Sequence, residues 1–278
     1  MPFDRHARVR HDVELPNGGR AATGRFRPSG DQPTDRFFAA DLAAPPPARV
    51  DLRDELAHIQ NQHQLDSCTA NALAAAHELV ERREGRDVRA LSRLFIYWNA
   101  RVIEHDLAKD DGITIRDGVH GMRRHGVCPE EVWPYLEARV LDRPNERAFE
   151  AARRHRIDDA ERVHVELDAM RACLASHEPI VFGLQLFESF GSGGDHGRVR
   201  MPRPDEEKHI GGHTMVAVGY DDRDRTFIVR NSWGTDWGQR GHCFLPYEYV
   251  ANHRFADEAW VLRTARRGQS AADRVTDS

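Results

Sequence analysis

Residues 228–244 read IVRNSWGTDWGQRGHCF, and this stretch decides the fold of the 278-residue chain. An apolar run from Thr226 to Arg230 ends at Asn231, and a second run begins at Gly241. Glycines and tryptophans separate the two runs, which is typical of two antiparallel strands joined by a glycine-rich turn. The stretch therefore places Asn231 and Trp233 at the end of a strand.

The rest of the second half also predicts strands, whereas the first half predicts helices. Apolar runs typical of buried strands cover 179–187, 213–220, 226–230 and 241–245. Helical periodicity covers 68–80 with a stop at Gly85, 92–106, 115–125 with a stop at Gly126, 143–156 and 168–176. Residues 188–212 are rich in glycine and proline and are expected to form a long surface insertion. Helices followed by antiparallel strands define the α+β class, in which a cleft between lobes often binds a ligand.

Composition excludes several functional classes. Hydrophobic residues make up 40% and charged residues 31%, as in a globular protein. The net charge is −5 and arginines alternate with acidic residues, so no basic stripe for nucleic acid is present. No apolar run reaches the roughly 18 residues of a membrane span, and the N-terminus lacks the apolar core of a signal peptide. We therefore expect no nucleic-acid or membrane partner and a cytoplasmic location.

The four cysteines point to one candidate nucleophile. Cys68, Cys128, Cys173 and Cys243 are too widely spaced for a dense disulfide framework or a zinc knuckle, so free thiols are expected. Ser67 stands at the N-cap position of the helix that Cys68 begins. There the helix dipole and unpaired N–H groups would lower the thiol pKa. A single cysteine near a helix start is more often a small buried residue, so the interpretation depends on its partners.

Three further residues follow in an informative order. Gln62 precedes Cys68 by six residues, His213 follows two glycines 145 residues after Cys68, and Asn231 lies 18 residues after His213. Taken alone, Gln62 reads as a polar loop residue, His213 as a strand-edge histidine and Asn231 as a turn former. Trp233 alone reads as a core residue. Only the combination indicates a catalytic constellation.

This combination resembles the papain family of cysteine peptidases, in which the histidine lies about 130–150 residues after the cysteine. The resemblance covers residues 50–262, and 228–244 is its most specific segment. It implies a papain-like two-lobed fold, with a helical left lobe, an antiparallel β-sheet right lobe and the active-site cleft between them. It implies a thiolate nucleophile, a general acid and base, a holder of the imidazole ring and an oxyanion donor, which are Cys68, His213, Asn231 and Gln62 respectively.

The same resemblance implies that five residues contact the substrate: Asp66, Gly112, Ile113, Gly212 and Trp233. Asp66 replaces a family glycine beside the first subsite, so it would narrow the subsite or favour a basic side chain there. Gly112 and Ile113 fall where the family's glycine-rich binding edge would lie, although an ordinary turn explains them equally well. Gly212 stands where plant members of the family often have Asp. Because this removes one charge beside the histidine, the pH profile of activity is expected to differ from that of the plant members. Trp233 would shield the histidine–asparagine contact from water.

The resemblance implies hydrolysis of peptide bonds in a peptide or protein substrate, with neither a metal nor a cofactor. His209 and His213 are four residues apart, but the Ile-Gly-Gly between them argues against a helical metal pair. Two alternatives stay open: an acyltransferase or amidase that uses the same acyl-enzyme, and a catalytically retired peptide-binding scaffold. The presence of all four catalytic residue types argues against retirement. The sequence does not specify the oligomeric state.

The sequence divides into three parts. Residues 1–47 form an N-terminal extension, 48–265 the papain-like domain and 266–278 a polar C-terminal tail. The family's usual prosegment is a helical domain of roughly a hundred residues. Because residues 1–47 are fewer and show no helical pattern, we expect no zymogen control of that kind. The hypothesis for residues 1–47 is that they pack as part of the enzyme or partly occlude the cleft.

Overall fold

The computed structural model describes residues 10–23, 26–40, 45–56, 58–86, 90–194 and 196–264. The predicted polar tail, 266–278, lies outside these ranges, as do parts of the predicted extension 1–47. Within the described ranges, no helix is both long and apolar enough to cross a membrane.

The five longer helices lie where the sequence predicts them, whereas two single-turn helices of the described chain were not predicted. They are α1 Cys68–Arg83, α2 Arg93–Glu104, α3 Ile115–His125, α4 Glu146–Ala152, α5 Leu167–Ala175, and the single-turn α6 Glu188–Gly191 and α7 Tyr247–Val250. The hydroxyls of Ser92 and Thr114 cap α2 and α3, and Gly126 ends α3 with a φ of 78°. The helix predicted over 143–156 is shorter, because it begins only after Asn145, whose side chain accepts a hydrogen bond from the N–H of Ala148.

The strands form one large antiparallel sheet and a separate hairpin. The hairpin pairs β1 His11–Glu14 with β2 Arg20–Thr23. The large sheet contains β3 Arg49–Asp51, β4 Asp159–Arg162, β5 Ile180–Phe187, β6 His209–Asp221, β7 Thr226–Arg230, β8 His242–Pro246 and β9 Ala256–Arg263. Its order is β4-β9-β5-β6-β7-β8, with β3 paired to β6. The α+β class is confirmed.

Four predicted strands are confirmed, and the sheet is larger than they suggest. β3 and β4 are only three and four residues long, and β4 reads Asp-Ala-Glu-Arg, so neither has an apolar run. β9 carries a buried carboxylate, Glu258, in its interior. β6 begins at His209, four residues before the predicted start. The end of the expected insertion 188–212 is therefore strand rather than loop.

Helix α1 is the central helix and packs directly on β6. Its residues Ala70–Ala76 are all buried, and the β6 residues Ile210–Tyr220 are buried as well. The first residue of α1 is Cys68, and the fifth residue of β6 is His213. The packing of one helix on one strand thus brings together the N-terminal end of α1 and the N-terminal part of β6.

The described part of the N-terminal extension packs against this body. The β1–β2 hairpin turns at Gly18, which has a φ of 78°. The Asn17 amide donates to Asp236 at 3.1 Å, and Thr23 donates its hydroxyl to the Ile210 carbonyl at 2.8 Å. The sequence predicted no regular structure here, because the hairpin strands are short and interrupted by polar residues.

Candidate active site

Cys68 occupies the first position of α1 and is 4% exposed. Ser67 holds the N-cap position, but its hydroxyl does not cap the helix. It lies 2.6 Å from the Tyr135 hydroxyl and accepts a hydrogen bond from the Asn71 amide at 3.1 Å. The expected side-chain cap is therefore wrong, because Ser67 instead connects the start of α1 to neighbouring side chains.

His213 and Asn231 form the polar pair that the sequence predicts. Nε2 of His213 lies 2.8 Å from Oδ1 of Asn231. Because an amide oxygen only accepts, Nε2 carries the proton and Nδ1 is the basic nitrogen. Within the described chain, Nδ1 has no hydrogen-bond partner. The indole of Trp233 lies 5.0 Å from the imidazole, centroid to centroid, and is 1% exposed, so it covers this pair.

A threonine pair joins the two lobes beside the candidate nucleophile and base. Thr69 follows Cys68, Thr214 follows His213, and the two hydroxyl oxygens lie 2.8 Å apart. Thr69 also lies within hydrogen-bond distance of the Ile113 carbonyl, at 3.2 Å. Sequence reasoning missed both threonines, although their identical placement after the two candidate residues is a readable signal.

The structure brings Cys68 and His213 to adjoining positions but does not pair them as ions. Burial raises the pKa of the Cys68 thiol, and the Asp66 carboxylate raises it further, while contacts with Thr214 act in the opposite direction. Burial lowers the pKa of His213 to about 4, against the opposing effect of Asn231. The predicted lowering of the thiol pKa is therefore wrong for this conformation, because desolvation outweighs the helix dipole. Both groups are neutral here.

Gln62 is fully buried, and its amide points to carbonyl groups. Nε2 donates to the Leu65 carbonyl at 2.9 Å and to the Ala22 carbonyl at 3.3 Å. Oε1 accepts a hydrogen bond from the Ser232 hydroxyl at 2.6 Å, and the Ser232 N–H donates to Asn231 at 2.8 Å. Ser232 thus fixes both polar side chains, a role that sequence reasoning did not assign.

Tyr135 is a further residue whose role sequence reasoning missed. Its hydroxyl donates to the Gln62 carbonyl at 2.9 Å and lies 2.6 Å from the Ser67 hydroxyl. The Arg93 guanidinium stacks over its ring at 3.8 Å. Tyr135 therefore holds the Gln62 loop against the start of α1. The sequence shows only that it follows Trp133-Pro134.

The predicted substrate-binding residues surround these groups. Asp66 is buried, and Nη1 of Arg10 lies 3.8 Å from its Oδ2 atom. Gly112 adopts a φ of 72°, and its carbonyl accepts a hydrogen bond from Arg27 at 3.1 Å. The neighbouring Ile113 is buried. A methyl group on Gly212 would lie 3.1 Å from Cδ1 of Phe26. The N-terminal extension thus contacts Asp66, Gly112 and Gly212.

The remaining cysteines belong to the core. Cys128, Cys173 and Cys243 are buried and free, and burial raises the pKa of each thiol, to about 12 for Cys128. Among the described residues, no group of three or more His, Cys, Asp or Glu side chains could hold a metal ion.

A cysteine at a helix start, opposite a histidine that is held by an asparagine, is the arrangement of cysteine-dependent hydrolases. The chain belongs to the papain family of cysteine proteases, whose family model matches residues 46–259. The papain-like fold is thereby confirmed, and the protein is a papain-like cysteine peptidase.

Individual relatives agree with this assignment. An uncharacterized peptidase C1-like protein of Acanthamoeba polyphaga mimivirus is 38% identical over 225 residues, which are 77% of this chain and 72% of the relative. The crystal structure of xylellain, a cysteine protease from Xylella fastidiosa, superimposes with a TM-score of 0.81 at 34% identity, covering 87% of this chain and 96% of xylellain. Procathepsin L 3 from the larval midgut of Tenebrio molitor shares the fold at 17% identity and a TM-score of 0.69, covering 86% of this chain and 76% of its own.

Proposed function

We propose that this peptidase cleaves peptide bonds through an acyl-enzyme on Cys68. In the first step the sulphur attacks the scissile carbonyl carbon while Nδ1 of His213 takes the thiol proton. The same nitrogen then protonates the leaving amine, and the amine departs. In the second step water attacks the thioester while His213 accepts the water proton, and His213 then returns that proton to the departing sulphur as the acid product leaves.

The observation that carries this proposal is the orientation of the His213 ring. The 2.8 Å contact with Asn231 fixes the proton on Nε2 and leaves Nδ1, within the described chain, without a partner. A base in this state accepts a proton without first breaking a hydrogen bond. Trp233 keeps water from competing for the Asn231 oxygen, which preserves the ring orientation through both steps.

Gln62 is proposed as the side-chain donor to the oxyanion, together with the backbone N–H of Cys68. Its Nε2 already donates to a backbone carbonyl, that of Ala22, at 3.3 Å. Ser232 orients the Gln62 amide by donating its hydroxyl to Oε1 at 2.6 Å, so Nε2 faces the Ala22 carbonyl. Removal of one oxyanion donor typically raises the barrier by about 2.7–4 kcal/mol.

Product analysis tests the reaction class. We expect denatured protein substrates to yield peptides with free carboxyl and amino termini, each cleavage adding one water. An added amine such as hydroxylamine competes with water for the thioester in any acyl-enzyme. Free acid as the main product at moderate amine concentration is expected for a peptidase. Amide or hydroxamate as the main product at all amine concentrations would instead favour an acyltransferase. A protein whose Cys68 reacts with a thiol reagent, but which without the reagent turns over no substrate, would favour a retired scaffold.

Asp66 is proposed to favour a basic side chain in the neighbouring subsite. Its carboxylate is buried and the Arg10 guanidinium lies 3.8 Å from it, so a positive group already approaches this position. We expect wild type to cleave an Arg-containing peptide about 10-fold more efficiently than its Ala counterpart, from one charged contact. In Asp66→Gly the ratio of the two kcat/KM values should approach one. An unchanged ratio in the variant would contradict this role.

A further inference from the structure

Two buried threonines follow the candidate nucleophile and the candidate base directly in the chain. Thr69 is the second residue of α1, after Cys68, and Thr214 follows His213 on β6. Their hydroxyl oxygens lie 2.8 Å apart, and each residue is 1% exposed. This contact therefore joins the helix that carries the sulphur to the strand that carries the imidazole, one residue away from each reacting group.

The hydrogen bonds of this pair run in one direction. A hydroxyl group has a single proton to donate, and a carbonyl oxygen only accepts. Since Thr69 donates its hydroxyl to the Ile113 carbonyl at 3.2 Å, the hydrogen bond between the two threonines is donated by Thr214. The hydrogen bonds thus lead from β6 through α1 to the predicted substrate-binding edge, where Ile113 follows Gly112. They connect the base, the nucleophile and that edge.

His213 is held by two contacts that fix different things. Asn231 binds the ring at 2.8 Å, which sets the orientation of the imidazole. Thr214 binds α1, which fixes the strand backbone beside the imidazole relative to the helix that bears Cys68. The asparagine contact stays on the sheet side of the molecule, whereas the threonine contact crosses to the helix. The threonine contact therefore bears on the distance between the Cys68 sulphur and Nδ1 of His213.

That distance controls the proposed reaction, because a base takes a proton only within hydrogen-bond reach. A misplacement of reacting groups by about 1 Å can lower a rate by about 100-fold. The threonines also act on the thiol itself. Burial and the Asp66 carboxylate raise the pKa of the Cys68 thiol, and contacts with Thr214 and Thr69 oppose this effect. The pair thus affects the nucleophile as well as the base.

We propose that the Thr69–Thr214 hydroxyl pair is a positioning clamp, which sets the separation of Cys68 and His213 between the two lobes. This inference rests on the proposed function of the Cys68 site. Neither threonine exchanges a proton with the substrate, and the clamp acts through the two groups that it positions. Loss of the hydroxyl pair should therefore slow the chemical step more than it weakens substrate binding.

The test removes each hydroxyl while keeping the branched shape of the side chain, since valine is branched at Cβ as threonine is. In Thr214→Val and in Thr69→Val we expect kcat for a fluorogenic peptide to fall about 10-fold, with KM within about 3-fold of wild type. Thr214→Ser keeps the hydroxyl and should restore kcat to within about 3-fold of wild type. A kcat of Thr214→Val within about 2-fold of wild type would overturn the clamp.

The double variant separates a clamp from two independent packing effects. Each single variant already breaks the same hydrogen bond, so the combination of Thr69→Val and Thr214→Val should lower kcat by no more than about 3-fold beyond either alone. Independent effects would multiply to a loss of about 100-fold, and that result would also overturn the clamp.

The pH dependence of Cys68 alkylation is a readout that a purely structural role would not move. Iodoacetamide is the probe, and peptide mapping locates the adduct. Wild type should react at similar rates at pH 5.5 and 8.5. In Thr214→Val the rate should be at least about 10-fold lower at pH 5.5 than at pH 8.5, because a displaced imidazole no longer holds the thiolate. A flat dependence in Thr214→Val would contradict the clamp.

Thr226→Val is the matched control. Thr226 is a buried threonine that begins β7, at the end of the strand opposite to Asn231. Within the described chain its hydroxyl has no hydrogen-bond partner. Thr226→Val should keep both the flat pH dependence and a kcat within about 2-fold of wild type, so a loss in this variant equal to that in Thr214→Val would assign the effect to packing and overturn the clamp.

The three core cysteines report on unfolding in the same experiment. If Thr214→Val labels all four cysteines and has therefore unfolded, Thr69→Val decides: a steep pH dependence supports the clamp, and wild-type behaviour overturns it. Wild type that hydrolyses no peptide and shows a steep pH dependence would contradict the proposed peptidase chemistry. Wild type that hydrolyses peptides with a flat dependence shared by Thr214→Val would contradict the clamp alone, so the two failures are distinguishable.

Discussion

Replacement of Cys68 by alanine is expected to lower kcat for peptide hydrolysis by at least about 10⁴-fold, because the proposed acyl-enzyme forms on its sulphur. Cys68 is buried at the start of α1, and alanine fits the same space without its sulphur. The unfolding free energy should therefore change by only about 1 kcal/mol, within the usual range for a single substitution. Steady-state kinetics with a fluorogenic peptide and a thermal melt measure the two effects separately.

The matched control is Cys128→Ala. Cys128 is also a buried free thiol, but it lies in the core beside Ser92 rather than in the cleft. Its removal should leave kcat within about 3-fold of wild type, whatever its cost in stability. Hydrolysis that survives in Cys68→Ala at more than a tenth of the wild-type rate would contradict the assignment of the nucleophile.

Replacement of His213 by alanine is expected to lower kcat by about 10³–10⁴-fold and to change the pH dependence of thiol alkylation. Because Cys68 is buried in this conformation, alkylation requires that solvent and reagent reach the thiol, so the ratio of rates at two pH values reports on the solvated pair. In wild type the paired thiolate should persist to pH 5.5, giving similar rates at pH 5.5 and 8.5. Without the imidazole, a thiol of pKa about 8.5 is ionised to only about one part in a thousand at pH 5.5.

His209→Ala is the control for this variant. His209 lies on the same strand and contacts the Gln185 amide oxygen at 2.9 Å, four residues from the candidate base. It should retain the flat pH dependence of wild type. A steep loss of alkylation at pH 5.5 in wild type itself, equal to that in His213→Ala, would show that His213 does not activate Cys68.

The sequence predicted best those helices and strands that contain a continuous run of apolar residues. Helix α1 contains an apolar run from Ala72 to Ala76, and β7 and β8 are apolar runs on either side of glycines, so their positions were predicted within a few residues. β4 and β9 were missed because charged side chains interrupt them. The buried carboxylate of Glu258 in β9 is bound by Ser29 and Trp260 and lies 4.0 Å from Arg162, and these contacts form only in the folded chain.

The candidate site shows the same division. The order and spacing of Gln62, Cys68, His213 and Asn231 were visible in the chain, and the His213–Asn231 contact has the predicted partners. The neutral state of the pair was not visible, because it depends on desolvation in the folded molecule. The N-terminal extension contacts Gln62 through the Ala22 carbonyl, and its weak hydrophobic pattern predicts neither the hairpin nor this contact.

The most direct measurement is the mass of the enzyme during turnover of a peptide ester. The reaction is quenched in acid within one turnover. The intact mass of the protein is measured first, and peptide mapping then locates the adduct. We predict a mass increase equal to the acyl group, located on Cys68, that disappears as the acid product forms and is absent in Cys68→Ala. Product formation by wild type with no adduct at Cys68, or with an adduct on another cysteine, would contradict the acyl-enzyme mechanism.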